Sequence, residues 1–149
     1  MPPTTDESLE AYIHRQIPIT AHMGVRIIDA SINRVELAAP LAPNINHRET
    51  VFGGSAAAVA TLAAWTLVLV RMRNEEISGR LVIAKNSMEY AKPITADFTA
   101  VASADQLEGW DRFMAGVTRK GRGRLQAMSH LFLDGRQVAE FEGHFVAIV

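Results

Sequence analysis

Nineteen consecutive residues, Phe52 to Val70, carry no charge: "FGGSAAAVATLAAWTLVLV". A helix of this length with no polar face has two destinations. It crosses a bilayer, which takes about 20 residues, or it sits where a fold covers it on every side. Six alanines, two glycines, two threonines and a serine make the run only weakly apolar, and amphipathic segments lie on both sides of it. The expectation is therefore a helix buried inside a soluble fold, with no membrane partner.

The flanking segments supply the cover. Thr4-Thr5-Asp6-Glu7 has the form of a capping box, and Leu9, Tyr12, Ile13 and Ile17 follow at helical spacing until Pro18, which predicts a short amphipathic helix stopped by the proline. Val25, Ile27, Ala30 and Ile32 roughly alternate, and Val35, Leu37 and Ala39 alternate cleanly with Arg34, Glu36 and Ala38, which predicts two strands joined near Ser31-Asn33. After the apolar helix, 80–90 and 98–103 read as strands around the proline-containing "AKPITAD". Leu107, Trp110, Met114 and Val117 share a helical face before "RKGRGR", and 125–133 and 137–149 flank Asp134-Gly135, a strong hairpin dipeptide. One helix among antiparallel strands gives an α+β class, in a single domain spanning 1–149.

Composition narrows the functions. Fifteen basic and sixteen acidic residues leave a net charge of -1, so no global field attracts nucleic acid or an anionic surface. The absence of cysteine excludes disulfides, thiolate metal sites and a cysteine nucleophile, and it fits a reducing compartment. No metal site is expected. "MPPTTDESLE" lacks the basic and apolar regions of a secretory signal, so the expected location is the cytoplasm.

Asn46, Phe52-Gly53-Gly54 opening the alanine-rich helix, "YAKPITAD" and the hairpin at Asp134-Gly135 occur in an order that resembles hotdog-fold proteins, in which a curved antiparallel sheet wraps a long central helix. "NHRETVFGGS", "RKGRGRL" and "VAEFEGHFVA" most resemble the small thioesterase-like domain found alone or behind an acetyltransferase domain. The resemblance implies hydrolysis of an acyl thioester on coenzyme A or acyl carrier protein, at the interface of a homodimer, with dimers able to pair into tetramers. It implies no cofactor other than the coenzyme A moiety of the substrate. In phenylacetyl-type relatives a His-Gly-Gly triplet opens the helix, an Asn precedes it and a carboxylate lies along it. Asn46 matches the Asn and Gly54 matches the residue whose N–H receives the thioester carbonyl. Phe52 stands at the His and Thr61 at the carboxylate, so two of the four positions have changed chemistry.

Read from chemistry alone, Gly54 belongs to a helix N-terminus, whose N–H groups are unpaired and partly positive. That suits an oxyanion, and it equally suits a plain chain turn at Gly53-Gly54. Thr61, seven residues on, shares the face of Gly54 and either contacts a water or bonds back to a carbonyl. His47 carries an imidazole, the side-chain type suited to proton transfer, and is the nearest candidate base, with Asn46 holding the water; both equally suit loop capping. Glu49 reads as a solvated charge, Thr66 as core, and Ser55 as a cap or pocket residue. His22, placed near the first strand, and Glu89 are further candidates across a dimer interface. Arg119, Lys120 and Arg122, with Arg124 and two glycines, suit the phosphates of coenzyme A or an acidic carrier, or form a solvated turn. Gly143-His144-Phe145 lies in the last strand, which leaves His144 a structural or surface role. A non-catalytic acyl-CoA-binding module is the alternative to an enzyme.

Overall fold

The computed structural model describes residues 7–149. The helices are α1 (Leu9–Gln16), α2 (Pro18–His22), α3 (Gly53–Asn74) and α4 (Trp110–Lys120). The strands are β1 (Arg26–Ala30), β2 (Arg34–Ala39), β3 (Arg80–Tyr90), β4 (Phe98–Ser103), β5 (Arg122–Leu133) and β6 (Arg136–Ile148). The strands form one antiparallel sheet in the order β1-β2-β4-β5-β6-β3. Register shifts at Ile27/Asp29, Ile83/Lys85 and Leu131/Phe132 are the local kinks that let a sheet bend. It curves around α3, which touches all six strands.

Period-2 burial decides which face meets the helix. Val35, Leu37 and Ala39 of β2, Phe98, Ala100 and Ala102 of β4, Leu125, Ala127 and Leu131 of β5, and Phe141 and Phe145 of β6 are all buried, while their neighbours are more open. On α3, Ala56, Ala60, Ala63 and Ala64 are buried as well. Their small side chains let the strands approach the helix backbone, and Ser129 Oγ of β5 donates to Ala60 O at 2.7 Å. Of the described helices α3 alone is long and apolar enough to cross a membrane. Here its sides are taken up by the sheet and by the N-terminal helices, where Arg73 lies over the Tyr12 ring at 4.4 Å.

The two ends of the N-terminal segment differ from the sequence expectation. Of the expected capping box, Thr4, Thr5 and Asp6 lie outside the described residues. The helix starts at Leu9, with Ser8 as its N-cap accepting from Ala11 N at 3.1 Å. The first helix does end before Pro18, as expected, but the proline then occupies the first turn of a second helix, α2, where its missing N–H costs nothing. His22 closes α2, four residues before β1 begins at Arg26. The α1 helix is pinned to the sheet by Glu10 Oε1 accepting from Ile27 N at 2.7 Å and by His14 Nε2 donating to Val25 O at 2.7 Å. Replacing Ser8 with alanine should lower stability by about 1 kcal/mol, the usual cost of a lost N-cap, in urea unfolding with an unchanged slope.

The "RKGRGR" segment is also more ordered than its glycines suggest. Gly121, at φ +69°, caps α4 in the left-handed region, its N–H bonding Val117 O at 3.0 Å. Gly123 lies within β5, where a Cβ would come within 2.4 Å of Phe113 O. Asp134 and Gly135 both have positive φ, the paired condition of a two-residue hairpin turn.

Strand β3 forms one edge of the sheet, paired only with β6. It is eleven residues long, and Ala84, Lys85, Asn86 and Ser87 are all exposed. Long edges of this kind are templates for pairing with another chain.

Candidate functional site at the start of the central helix

The chain enters α3 through a small latched loop. Ile45 pairs with Val51, and Phe52 N bonds Asn44 O at 2.7 Å. Asn46 holds the loop closed. Its Oδ1 accepts from Arg48 N at 2.8 Å and Thr50 N at 3.1 Å, and its Nδ2 donates to Thr50 Oγ1 at 2.9 Å. That closure leaves Glu49 at φ +63°. His47, Arg48 and Glu49 form the exposed tip. The loop-capping role weighed for Asn46 is therefore real, and one Nδ2 hydrogen remains uncommitted. His47 has no hydrogen bond to the helix start.

At the helix itself no side chain caps the first turn. The first intrahelical bond runs from Ala56 N to Phe52 O at 3.0 Å, which leaves the N–H groups of Gly53, Gly54 and Ser55 without partners among the described residues. These three donors, at the positive end of a 22-residue helix, form an anion-binding geometry. The glycines have distinct neighbours. A Cβ on Gly54 would fall 2.5 Å from Phe52 Cε2, so the Phe52 ring folds over the turn because position 54 has no side chain. Phe52 is 59% exposed, so the ring forms an apolar cover whose outer side is open to solvent. On the other side, Tyr90 Oη donates to Gly53 O at 2.9 Å, tying the end of β3 to the first turn.

Tyr90 is the residue that sequence reasoning did not single out. Its signal was present: it opens "YAKPITAD", and it alternates with Met88 on the strand face toward the helix. The same alternation puts Glu89 on the opposite face, where it pairs in register with Glu140. In its own chain Glu89 is thus directed away from α3.

Thr61 shares the face of Gly54, with Ala58 between them and Trp65 beyond. Its Oγ1 donates to Ala57 O at 2.7 Å, the back-bonding expected of a threonine in an apolar helix, so only the oxygen's lone pairs remain available. Ala58, Thr61, Leu62 and Trp65 line an apolar groove of about 240 Å³ whose other wall is Ile17, Ile19, Thr20 and Met23. Thr66 is fully buried as core, with no hydrogen-bond partner for its hydroxyl among the described residues. His144 is on the outer face of β6, with Nε2 3.6 Å from Glu142 Oε1, in keeping with a surface role.

The basic residues lie elsewhere. Arg122 pairs through Ile148 with Arg80, at the strand end opposite Tyr90. The ten residue steps of β3 span about 33 Å, and the same length separates the two ends of α3 at 1.5 Å per residue. Arg119, Lys120 and Arg122 are therefore not brought to Gly54 within one chain. Among the described residues no group of three or more His, Asp or Glu side chains is placed to hold a metal ion.

Comparison with known proteins agrees with this architecture. A protein of unknown function from Chlorobaculum tepidum is 26% identical, with a TM-score of 0.87 over 94% of this chain and 91% of its own. A "putative thioesterase from Shewanella oneidensis" is 26% identical, with a TM-score of 0.81 over 95% of each chain. A Pseudomonas aeruginosa structure at 19% identity and a TM-score of 0.78, covering 99% of this chain and 97% of its own, shares the fold. The family model described as "Putative thioesterase (yiiD_Cterm)" matches residues 6–149. With the match spanning every described element, the chain belongs to this family and has the hotdog fold.

Proposed function

We propose that the protein hydrolyses acyl thioesters of coenzyme A or acyl carrier protein, as a cytoplasmic homodimer. One observation carries this reading. Three unpaired N–H donors stand at the start of α3, and an apolar groove begins about one turn further on at Ala58, on the helix face that Gly54 shares. A thioester carbonyl placed at the Gly54 N–H would gain stabilisation as its oxygen becomes negative, in a setting that needs no rearrangement. The acyl chain would lie against Ala58, Thr61 and Trp65. The uncommitted Nδ2 hydrogen of Asn46 and the lone pairs of Thr61 are positions for the attacking water, with His47 accepting its proton. No cofactor enters this chemistry.

The edge of β3 supports the homodimer, since a second copy would satisfy its open backbone groups. Pairing of dimers into tetramers is compatible with the same arrangement.

A second reading keeps the binding and drops the reaction: a non-catalytic acyl-CoA-binding module. It draws on the absence of any carboxylate on α3 and on the internal bonds that Asn46 and Thr61 already make. Thiol release and thermal shift on the same acyl-CoA panel separate the two. Hydrolysis selects the first reading, and saturable stabilisation without thiol release selects the second. Thr61→Val, which keeps shape and removes the hydroxyl, should lower kcat about tenfold while leaving Tm within a degree or two, as expected for one lost hydrogen bond to the reacting water. Unchanged kcat would assign the hydroxyl to Ala57 alone.

A further inference from the structure

Helix α4 and the start of β5 build a second concave feature, remote from α3's first turn. Arg112, Ala115, Gly116 and Arg119 occupy one face of α4 at helical spacing, and Arg122 and Arg124 project from the same face of β5. Together with Lys120 and Gly123 they line a trough of about 570 Å³ that contains no acidic side chain. Its floor is low because it is made of small residues at contact distance. A Cβ on Gly116 would lie 2.5 Å from Arg122 O. An adjoining cavity of about 530 Å³ shares Arg112 and Arg124 and adds Glu108, Gln126 and His144, so the lining free of acidic side chains belongs to the trough itself. Among the described residues none of the five cations has an ion-pair partner within 4.0 Å.

Helix electrostatics accounts for only part of this cluster. Arg119 and Lys120 lie in the last turn of α4, where cations complement the helix dipole. Arg112 lies in the first turn, where a cation opposes it, and Arg122 and Arg124 are on a strand. In a protein of net charge -1, five unpaired cations around a rigid trough match a ligand with several phosphate oxygens. The recess and its small-residue floor suit a nucleotide better than the broad surface of an acidic protein.

We infer that this trough binds the nucleotide phosphates of coenzyme A and serves the thioester site of the partner protomer. The second half rests on the thioesterase reading above. Within one chain the separation of about 33 Å exceeds the reach of a pantetheine arm, roughly 15–20 Å by standard covalent dimensions. A second copy changes that distance. Two identical β3 edges joined about a two-fold axis run antiparallel, and full-length pairing of the strand, with the axis at Lys85, brings each copy's Arg80 beside the other's Tyr90. Arg122, two strands further in through Ile148, then lies about 14 Å from that Tyr90 at about 4.8 Å per strand. The trough opens on the outer face of the sheet, so the arm would pass around the strand end at Arg80 to reach the helix.

The test uses the full-length dimer with R112E/R124E, both exposed positions. Calorimetry with free coenzyme A should show affinity lowered at least about tenfold, the scale of lost charge-assisted contacts. Hydrolysis of an acyl-pantetheine that lacks the nucleotide should be unchanged. Equal loss on acyl-pantetheine, or unchanged coenzyme A affinity, overturns the site, and a defect confined to acyl carrier protein assigns it to a protein partner and overturns it too. Mixed dimers then decide the sharing. One protomer carries R112E/R124E and the other Gly54→Pro. Service in trans leaves one intact site and about half the wild-type rate per dimer, whereas service within each chain leaves none and overturns the trans assignment. If the wild-type protein hydrolyses nothing, the thioesterase reading fails by itself, and coenzyme A affinity still decides whether the trough is a nucleotide site.

Discussion

Gly54→Pro should cost two to three orders of magnitude in kcat, on the order of the 10²–10³ lost when one oxyanion donor is removed. Proline is accepted in the first helical turn because its nitrogen needs no intrahelical partner, so α3 should persist and far-ultraviolet circular dichroism should be unchanged. Gly54→Ala provides the comparison. It retains the N–H but adds a Cβ that would lie 2.5 Å from Phe52 Cε2. Because the Phe52 ring is largely exposed, it can swing aside, and the alanine variant should lose less than about tenfold, since the donor that matters to the developing charge remains. If both variants lose activity equally, the space above the turn matters and the N–H does not.

The largest effect on stability should come from Gly143→Val. Phe141, Gly143 and Phe145 follow one another on the inner face of β6, and both rings are fully buried. A Cβ at position 143 would lie 2.7 Å from Phe141 Cε1 and Cζ and 2.9 Å from Phe145 Cε2. Neither ring can turn outward, because α3 and the neighbouring strands occupy the space around it. Overpacking of this kind costs about 3 kcal/mol or somewhat more, and in a chain of this size about 2–4 °C of Tm is lost per kcal/mol. A fall of roughly 6–12 °C in thermal unfolding is expected. His144→Ala, on the outer face one residue away, should change Tm by a degree or two at most, since exposed substitutions usually stay within ±0.5 kcal/mol. The sequence Gly-His-Phe thus serves packing in the last strand.

Most of the architecture was legible because one face of every major element is buried. Alternation in 34–39 picked out the residues of β2 that meet the helix, and the bounds of β3 and β4 emerge at 80–90 and 98–103 as read. The unbroken apolar character of 52–70 foretold a wrapped helix. Misreadings arose where one residue type serves two backbone roles. Pro18 both ends one helix and starts the next. The glycines of "RKGRGR" signal flexibility in sequence, yet Gly121 caps a helix and Gly123 permits close packing of Phe113 O.

The site was less legible. The unpaired first turn at Gly54 follows from helix geometry alone, and so does the shared face with Thr61. What periodicity cannot show is how a side chain spends its hydrogen bonds: Asn46 closes its own loop and Thr61 bonds back to Ala57. Tyr90 lies 37 residues from Gly53 in the chain, a contact that only the pairing of β3 with the helix start creates. The same long-range order separates Arg119, Lys120 and Arg122 from Gly54 within one chain.

Thiol release by the purified wild-type protein, followed across a panel of acyl-CoA and acyl-carrier-protein thioesters, tests the central claim most directly. The unpaired first turn of α3, followed one turn later by an apolar groove on the same face, predicts saturable turnover of at least one thioester that Gly54→Pro lowers by two to three orders of magnitude. Absence of turnover above background on every thioester, by protein that remains folded, would contradict it.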